Sequence, residues 1–417
     1  MNSASISMEQ LVLLPGNPQI SVVLRRSKRS RRMSLRISRI KGLVTLSLPI
    51  SCPIAQAKCF LMEKESWIRN EQGDIIKYEL DVKLGKKTDL LKLKKNIVSS
   101  LKEKQEYYKE SREKIYLDSN TEPVANCPVC ESPSVNSQHK VTIYGAQYCS
   151  CNNCTHVYVN RRPTKSAIDG FYLNDVTYAA TYTDRASAEA RLNAIAIPWV
   201  DWTVACYQKA HGRKPLKILD VGSGAGHFVA ACRRSGIHCD GIELSESSRQ
   251  FSKEIWNIEL DKRDFIKAAK DYSGYDIVTF WGLLEHTPNP STILKSAHDV
   301  VSKSGYGMVI SKVPRWDSLS AAIQRIKSDT VIRHLDPMGH IMCFTDASAA
   351  EIYHKNNFAP TSAWYYGMDV YETLMQVANK VDQYDVLTQT GPIQTDLQQF
   401  VDESRFSDGL TLAGIPF

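Results

Sequence analysis

The sequence predicts a doubly wound α/β fold, preceded by a four-cysteine module and a small α+β N-terminal segment. Three observations predict it. An apolar strand, 217–221, runs into a glycine-rich turn carrying Gly222, Gly224 and Gly226, and then into a helix. A second short strand ends at Glu243, 19 residues after the middle glycine. This is the mononucleotide-binding half of an open sheet: glycines let the backbone approach a ligand, and the acid takes ribose hydroxyls. Third, Cys127-x2-Cys130 and Cys151-x2-Cys154 stand with twenty residues between them. Each pair can grip a metal from one tight knuckle, and two knuckles complete the tetrahedral thiolate site of a structural zinc.

Asp220 narrows the ligand. It stands at the strand end before the glycines, where a fold facing pyrophosphate would not want an anion. A carboxylate there suits a cofactor with a cationic end, and the ammonium and sulfonium of S-adenosylmethionine fit. Four further stretches follow in order: Leu260 to Phe265, Tyr275 to His286 (ending Leu284, Glu285, His286), Ser304 to Ser311, and Pro337 to Thr345 with Gly339, His340 and Phe344. With these motifs, roughly residues 123–417 resemble the class I methyltransferase family in its zinc-ribbon-bearing, small-molecule branch. The resemblance implies a seven-stranded, Rossmann-like methyltransferase sheet with an antiparallel hairpin at one edge.

Composition bounds the rest. The 417 residues, 43% hydrophobic and 23% charged, suit two or three soluble globular domains. No apolar stretch approaches the roughly 20 residues needed to cross a bilayer. The first residues lack the pattern of a signal peptide, so a cytoplasmic location is expected. Residues 1–120 hold 24 Lys and Arg against 13 Asp and Glu, a net +11, which leaves −4 for the remainder of a +7 chain. That argues against a nucleic-acid substrate, because a phosphate-tracking catalytic domain would itself be basic. The eleven cysteines do not read as a secreted disulfide framework. Cys149 is a rival metal ligand; Cys52, Cys59, Cys206, Cys232, Cys239 and Cys343 read as small core residues.

Residues 1–75 read as a basic segment of strands and one helix. Strands are expected at 21–25, 33–37 and 43–49, with a turn at Lys41 and Gly42. Residues 53–69 place Ile54, Ala57, Phe60, Leu61, Trp67 and Ile68 on one helical face. The run from Arg25 through Ile68 resembles the start of the YgjP-like metallohydrolase family, over about residues 18–72. That family's chemistry needs H-E-x-x-H on a helix; the chain has no such motif, so hydrolase activity is not expected. Nine Lys and Arg lie between Arg25 and Lys41 without an acid. They would suit RNA or an anionic surface, but aromatic residues for base stacking are absent, and a solvated hairpin face is preferred.

Residues 76–122 read as a helical linker, with Leu90, Leu91, Ile97, Val98, Leu101 and Tyr108 at helical intervals. Residues 123–163 are the cysteine module. Its run from Cys151 to Pro163 resembles the family's C-x-x-C, aromatic, N-P-R-P pattern, with Arg161 replacing the first proline. Residues 164–417 are the cofactor domain. Tyr172, Tyr178 and Tyr182 precede a helix through Trp199 and Trp202; the resemblance implies a tyrosine-bearing lid here, with aromatic core packing the alternative. Beyond Phe344 the sequence predicts helices at 346–356 and 369–380, a strand near 359–366, then a final helix and a last antiparallel strand.

The chemistry follows from these positions. Gly222, Ser223, Gly224 and Gly226 line the methionine part of the cofactor, Asp220 acts on its ammonium, and Glu243 accepts both ribose hydroxyls. The resemblance adds Leu244, with Asp264, at the end of a third strand, and Phe265 framing the adenine, and Trp281 and Gly282, at the end of the fourth strand, beside the methionine moiety. Methyl transfer chiefly needs nucleophile, methyl carbon and sulfur held in line. A hydroxyl or carbon acceptor also needs a base. His286 is the best-placed candidate and His340 the second, a structural role being the alternative for each. No N-P-P-[YF], D-P-P-Y or Pro-Cys motif follows the fourth strand, which argues against nucleic-acid base methylation. The expected activity is S-adenosylmethionine-dependent methyl transfer, first to oxygen, on a small-molecule or glycan acceptor. The alternatives are a non-catalytic scaffold and an RNA-directed methyltransferase using residues 25–41.

Overall fold

The computed structural model describes residues 9–14, 20–38, 42–65, 67–68, 78–88, 101–117, 120–168, 183–326 and 334–417. Tyr172, Tyr178 and Tyr182, together with Leu90, Leu91, Ile97 and Val98, lie outside them. Contacts divide the chain into two units, Met1–Glu79 and Leu80–Phe417. Among the described residues no helix is long and apolar enough to cross a membrane.

In the first unit β1 (Glu9–Leu14), β2 (Ile20–Ser27), β3 (Ser34–Ile37) and β4 (Val44–Pro49) form one sheet, ordered β1-β2-β4-β3. Period-two alternation buries Ile20, Val22 and Leu24 of β2 and Val44, Leu46 and Leu48 of β4. Ala57 and Leu61 of the helix Ile54–Glu63 pack with them. Trp67, expected on that helix's buried face, is 43% exposed. Arg26, one of the nine basic residues, donates to the carbonyls of Ile50 (2.8 Å) and Cys52 (2.7 Å). It therefore braces the loop after β4.

The second unit contains β5 (Asp81–Leu84), β6 (Thr121–Pro123), β7 (Gln138–Ile143), β8 (Ala146–Ser150), β9 (Val157–Val159), β10 (Arg161–Pro163), β11 (Lys217–Val221), β12 (His238–Ile242), β13 (Ile277–Trp281), β14 (Met308–Pro314), β15 (Met342–Cys343), β16 (Phe358–Tyr365) and β17 (Gly409–Pro416). Its large sheet has seven strands, ordered β12-β11-β13-β14-β17-β16-β5. Pairings are parallel from β12 to β14 and at β16–β5, and antiparallel around β17. Alternate residues feed opposite faces. Ile218, Ile277, Met308 and Ile310 join one apolar cluster; Leu219, Val221, Val278, Phe280 and Val309 join the other.

The count of seven matches expectation, but two members differ. Residues 81–84, read from sequence as part of a helical linker, form β5 and pair with Ser362–Tyr365 of β16. Leu80, Val82 and Leu84 pack on the core at period two, a short pattern that the later helical leucines masked. The linker's helix spans Leu101–Leu117. Conversely, the strand expected before Asp264 shrinks to a single bridge between Ile242 and Asp261. Arg263 folds back onto Asp261 and Asp271 there, turning the chain out of register.

The cysteine module forms a sheet ordered β15-β9-β8-β7, and β6 pairs separately with β10. β15 comes from the Pro337–Thr345 stretch, so this motif supplies the module's fourth strand. Thr155 and Thr345 hydroxyls meet at 2.7 Å, and buried His156 bonds Ser348 at 3.2 Å. The module is thereby welded to the helix Asp346–Lys355.

Candidate active site

β12 lies on one side of β11 and β13 on the other, so the strand order reverses at β11. In open α/β sheets ligands bind outside the carboxyl ends of the strands at such a reversal. Gly222, Gly224 and Gly226 wrap that end with φ of 72°, 52° and 74°, a region that other residues enter only with strain. The two outer positions are also crowded: a Cβ on Gly226 would lie 2.4 Å from Ser252 Oγ, and one on Gly222 3.1 Å from Leu283. A Cβ on Gly224 would meet nothing within 4 Å. The middle glycine faces open space, as a ligand-approach position must.

Asp220 is 1% exposed and accepts a 2.7 Å hydrogen bond from Thr279 Oγ1. Burial pushes its carboxyl up to about 7, against the pull of Thr279 and Ser223. Glu243 bridges the crevice: Oε2 accepts the Gly224 amide and Oε1 the Ser245 amide, each at 2.7 Å. Burial raises its pKa, although those two amides favour the anion. Ser223 Oγ donates back to the Asp220 carbonyl at 2.8 Å. Thr279 went unnoticed in the sequence, where a lone hydroxyl between Val278 and Phe280 in an apolar strand was its signal.

The residues expected to frame the adenine are less uniform. Leu244 is 65% exposed beyond β12. Asp264 is exposed and caps the helix Phe265–Ala268, accepting from the Lys267 amide at 3.4 Å. Its expected place at a third-strand end is corrected, since that strand is only a bridge. The Phe265 ring packs edge-on against Phe280 in the core, leaving its backbone for a ligand. Trp281, expected beside the methionine moiety, stacks flat on Trp199, centroids 4.3 Å apart, and its Nε1 is buried without a hydrogen-bond partner. Gly282 follows at φ 78°.

Beside Gly282 lies an acid–imidazole cluster. Glu285 is 3% exposed; its Oε1 is 3.8 Å from His286 Nε2 and 3.9 Å from His340 Nε2. Its Oε2 is buried without a hydrogen-bond partner. The two imidazoles, 54 positions apart in sequence, meet edge to face at 4.9 Å. His340 Nδ1 donates to the His334 carbonyl at 3.0 Å, and Tyr148 Oη donates to the His340 carbonyl at 2.9 Å. Asp336, in the same turn, pairs with Arg112 through two 3.1 Å bonds. The cysteine module and the helix Leu101–Leu117 thus hold this turn in place.

Burial lowers His286 to about 4, away from the near-neutral value that suits a base. Glu285 moves the opposite way: burial lifts its carboxyl well above the usual range, with Lys312 pulling it back. The group shifted toward the near-neutral range is the carboxylate, which the sequence reading does not name among the base candidates.

The four cysteines converge at a separate place. Sγ separations are 3.6 Å for Cys127–Cys154 and 3.5 Å for Cys130–Cys151, with all four sulfurs within 4.8 Å of one another. Each knuckle closes on a residue with positive φ, Glu131 at 64° and Thr155 at 65°. The Glu131 amide donates to the Cys127 carbonyl and the Thr155 amide to the Cys151 carbonyl. Cys149 is outside the group of four.

Against known proteins, the chain is 28% identical over 123 residues to a ubiquinone biosynthesis O-methyltransferase of Acinetobacter baylyi, covering 28% of this chain and 49% of that protein. Against the protein of the same description from Shewanella pealeana it is 28% identical over 155 residues, covering 36% of this chain and 61% of that protein. The chain thus spans about half the length of the curated relatives it matches. Among solved structures, magnesium protoporphyrin IX methyltransferase from Synechocystis PCC 6803 with bound SAH aligns at 12% identity and a TM-score of 0.39, over 61% of this chain and all of that one. Residues 190–363, which hold the glycine turn, Glu243 and the acid–imidazole cluster, match the family model described as a methyltransferase domain.

Proposed function

We propose that this protein is an S-adenosylmethionine-dependent methyltransferase acting on the oxygen of a small-molecule acceptor. The observation that carries the reading is the convergence of Glu243 and the open Gly224 position, 2.7 Å apart across the crevice. Each Glu243 oxygen accepts one amide and keeps a lone pair for a ribose hydroxyl. Asp220 waits behind the turn for the ammonium, and the buried Trp281 Nε1 borders the methionine side. Leu244 and the Phe265 amide are assigned to the adenine, with Asp264 as its solvent-side neighbour. Similarity to ubiquinone O-methyltransferases supports an oxygen acceptor over a glycan or RNA.

The cofactor supplies an electrophilic methyl group. The protein's part is alignment and acceptor deprotonation, which we assign to Glu285, His286 and His340 together rather than to His286 alone. The four cysteines are assigned a structural zinc: ligands about 2.3 Å from one ion stand roughly 3.8 Å apart in a tetrahedron, close to the observed 3.5 and 3.6 Å. Residues 123–163 would be this zinc module and 164–417 the catalytic domain. The N-terminal unit, 1–75, keeps a binding or structural role without hydrolase chemistry.

The test is calorimetry with S-adenosylhomocysteine on the full chain, followed by methyl transfer to a panel of phenols, catechols and sugars. Absence of binding heat would favour the non-catalytic scaffold. Transfer only to sugars or RNA would replace the acceptor class.

A further inference from the structure

We propose that Glu285, His286 and His340 form a second metal site, separate from the cysteines, which takes a divalent transition-metal ion and presents it to the acceptor oxygen. The use of the ion rests on the methyltransferase reading; its binding does not.

Three features carry the inference. The three donor atoms lie within 4.8 Å of one another, with Glu285 Oε1 3.8 and 3.9 Å from the two Nε2 atoms. An ion about 2.1 Å from each donor needs them roughly 3.0–3.4 Å apart, so Glu285 has to approach each imidazole by about 0.4–0.9 Å. Next, Glu285 Oε2 is a buried oxygen with no hydrogen-bond partner. Such an atom costs stability unless something at the site meets it. Third, a carbonyl can only accept, so the 3.0 Å contact to the His334 carbonyl puts the His340 proton on Nδ1. Its Nε2 therefore carries a lone pair toward Glu285. A second-shell hydrogen bond of this kind is what orients metal-ligating histidines.

Two imidazoles and one carboxylate favour manganese, iron, cobalt or zinc over magnesium or calcium, and three protein ligands leave positions open. A Cβ on Gly282 would lie only 3.3 Å from Glu285 Oε1. The site therefore adjoins the strand end where the methyl donor is assigned. There an acceptor hydroxyl would coordinate the ion, which lowers its pKa, and its proton passes to water, so that the three side chains promote deprotonation through the ion rather than as bases themselves. The oxygen lone pair attacks the methyl carbon, the carbon–sulfur bond breaks, and its electron pair stays on sulfur as the neutral thioether. The metal changes no oxidation state. An acceptor with two adjacent hydroxyls would chelate through both open positions.

The test uses Mn2+ on the full-length protein with its cysteine-bound metal in place. Electron paramagnetic resonance should report one tight Mn2+ per chain, and spin-echo modulation should report two imidazole nitrogens in its shell. Glu285→Gln, which keeps the volume and removes the charge, and His340→Gln should each weaken Mn2+ at least tenfold. S-adenosylhomocysteine binding in both variants should stay within about twofold of wild type. Mn2+ without nitrogen modulation, or equal Mn2+ affinity in all three proteins, overturns the site even if a variant folds poorly, because the first readout needs no variant. Mn2+ binding without any S-adenosylhomocysteine binding leaves the metal site standing and removes the methyltransferase reading instead.

Discussion

Glu243 and Gly224 are joined across the crevice at the end of β11 by a 2.7 Å hydrogen bond from the glycine amide to Oε2, while Oε1 holds the Ser245 amide at the same distance. The acid that sequence spacing assigns to a ribose therefore also fastens the glycine turn. The side chain is half-buried in the fold, between the glycine turn and Ser245.

Replacing Glu243 has two expected effects. Glu243→Ala removes two charge-assisted bonds, each worth roughly 1.5–3 kcal/mol. Cofactor affinity should fall at least about tenfold, and the melting temperature should fall as well. Glu243→Gln retains one acceptor oxygen and should recover part of the stability but little of the affinity. Calorimetry and thermal melting on the same samples separate the two, and unchanged affinity in Glu243→Ala removes the ribose assignment.

Asp220 should make stability and binding depend on pH. Its folded pKa is about 7 against an ordinary 3.8. Between those values the folded protein holds a proton that the unfolded chain has released, so stability falls as pH rises from about 4 and levels off above 7. Asp220→Asn removes this term, so its melting temperature relative to wild type should improve between pH 5 and 7.5. An ammonium beside Asp220 requires the anion, so cofactor binding near pH 6 should release a proton. Calorimetry in buffers of different ionisation enthalpy measures it, and equal release by wild type and Asp220→Asn refutes the assignment.

The glycines should separate folding from binding. Gly226→Ala forces a left-handed residue onto Ser252 Oγ, 2.4 Å from the new methyl, at a cost of about 2–4 kcal/mol. Gly224→Ala carries only the backbone strain, about 1–2 kcal/mol, because its surroundings are open. Its larger effect should be on S-adenosylhomocysteine affinity. A cofactor affinity unchanged in Gly224→Ala would place the ligand elsewhere.

Zinc should be structural. X-ray absorption should give four sulfurs at about 2.3 Å, and Cys130→Ser should lower zinc occupancy and the melting temperature together. Because β15 belongs to the cysteine module's sheet, loss of zinc should also loosen the turn carrying His340. Hydrogen exchange at residues 340–344 would reveal this; protection unchanged by chelation would show that the two are uncoupled.

What the sequence determined by itself is whatever short spacing dictates. Two C-x-x-C pairs must form knuckles, three glycines must permit a left-handed turn, and the largely apolar runs at 217–221, 277–281 and 308–311 must be buried on both faces of a parallel sheet. Each signal lies within a few residues of the structure it specifies. The tertiary structure alone decided the rest. Whether residues 81–84 join a sheet depends on an edge offered by β16, some 280 positions later. That Met342 and Cys343 complete the cysteine module's sheet depends on how two distant segments pack. His340 becomes a neighbour of Glu285 and His286 only when the end of β13 and the 334–340 turn are brought together. Their charge states follow from that burial, because desolvation belongs to the surroundings of a side chain and not to its place in the chain.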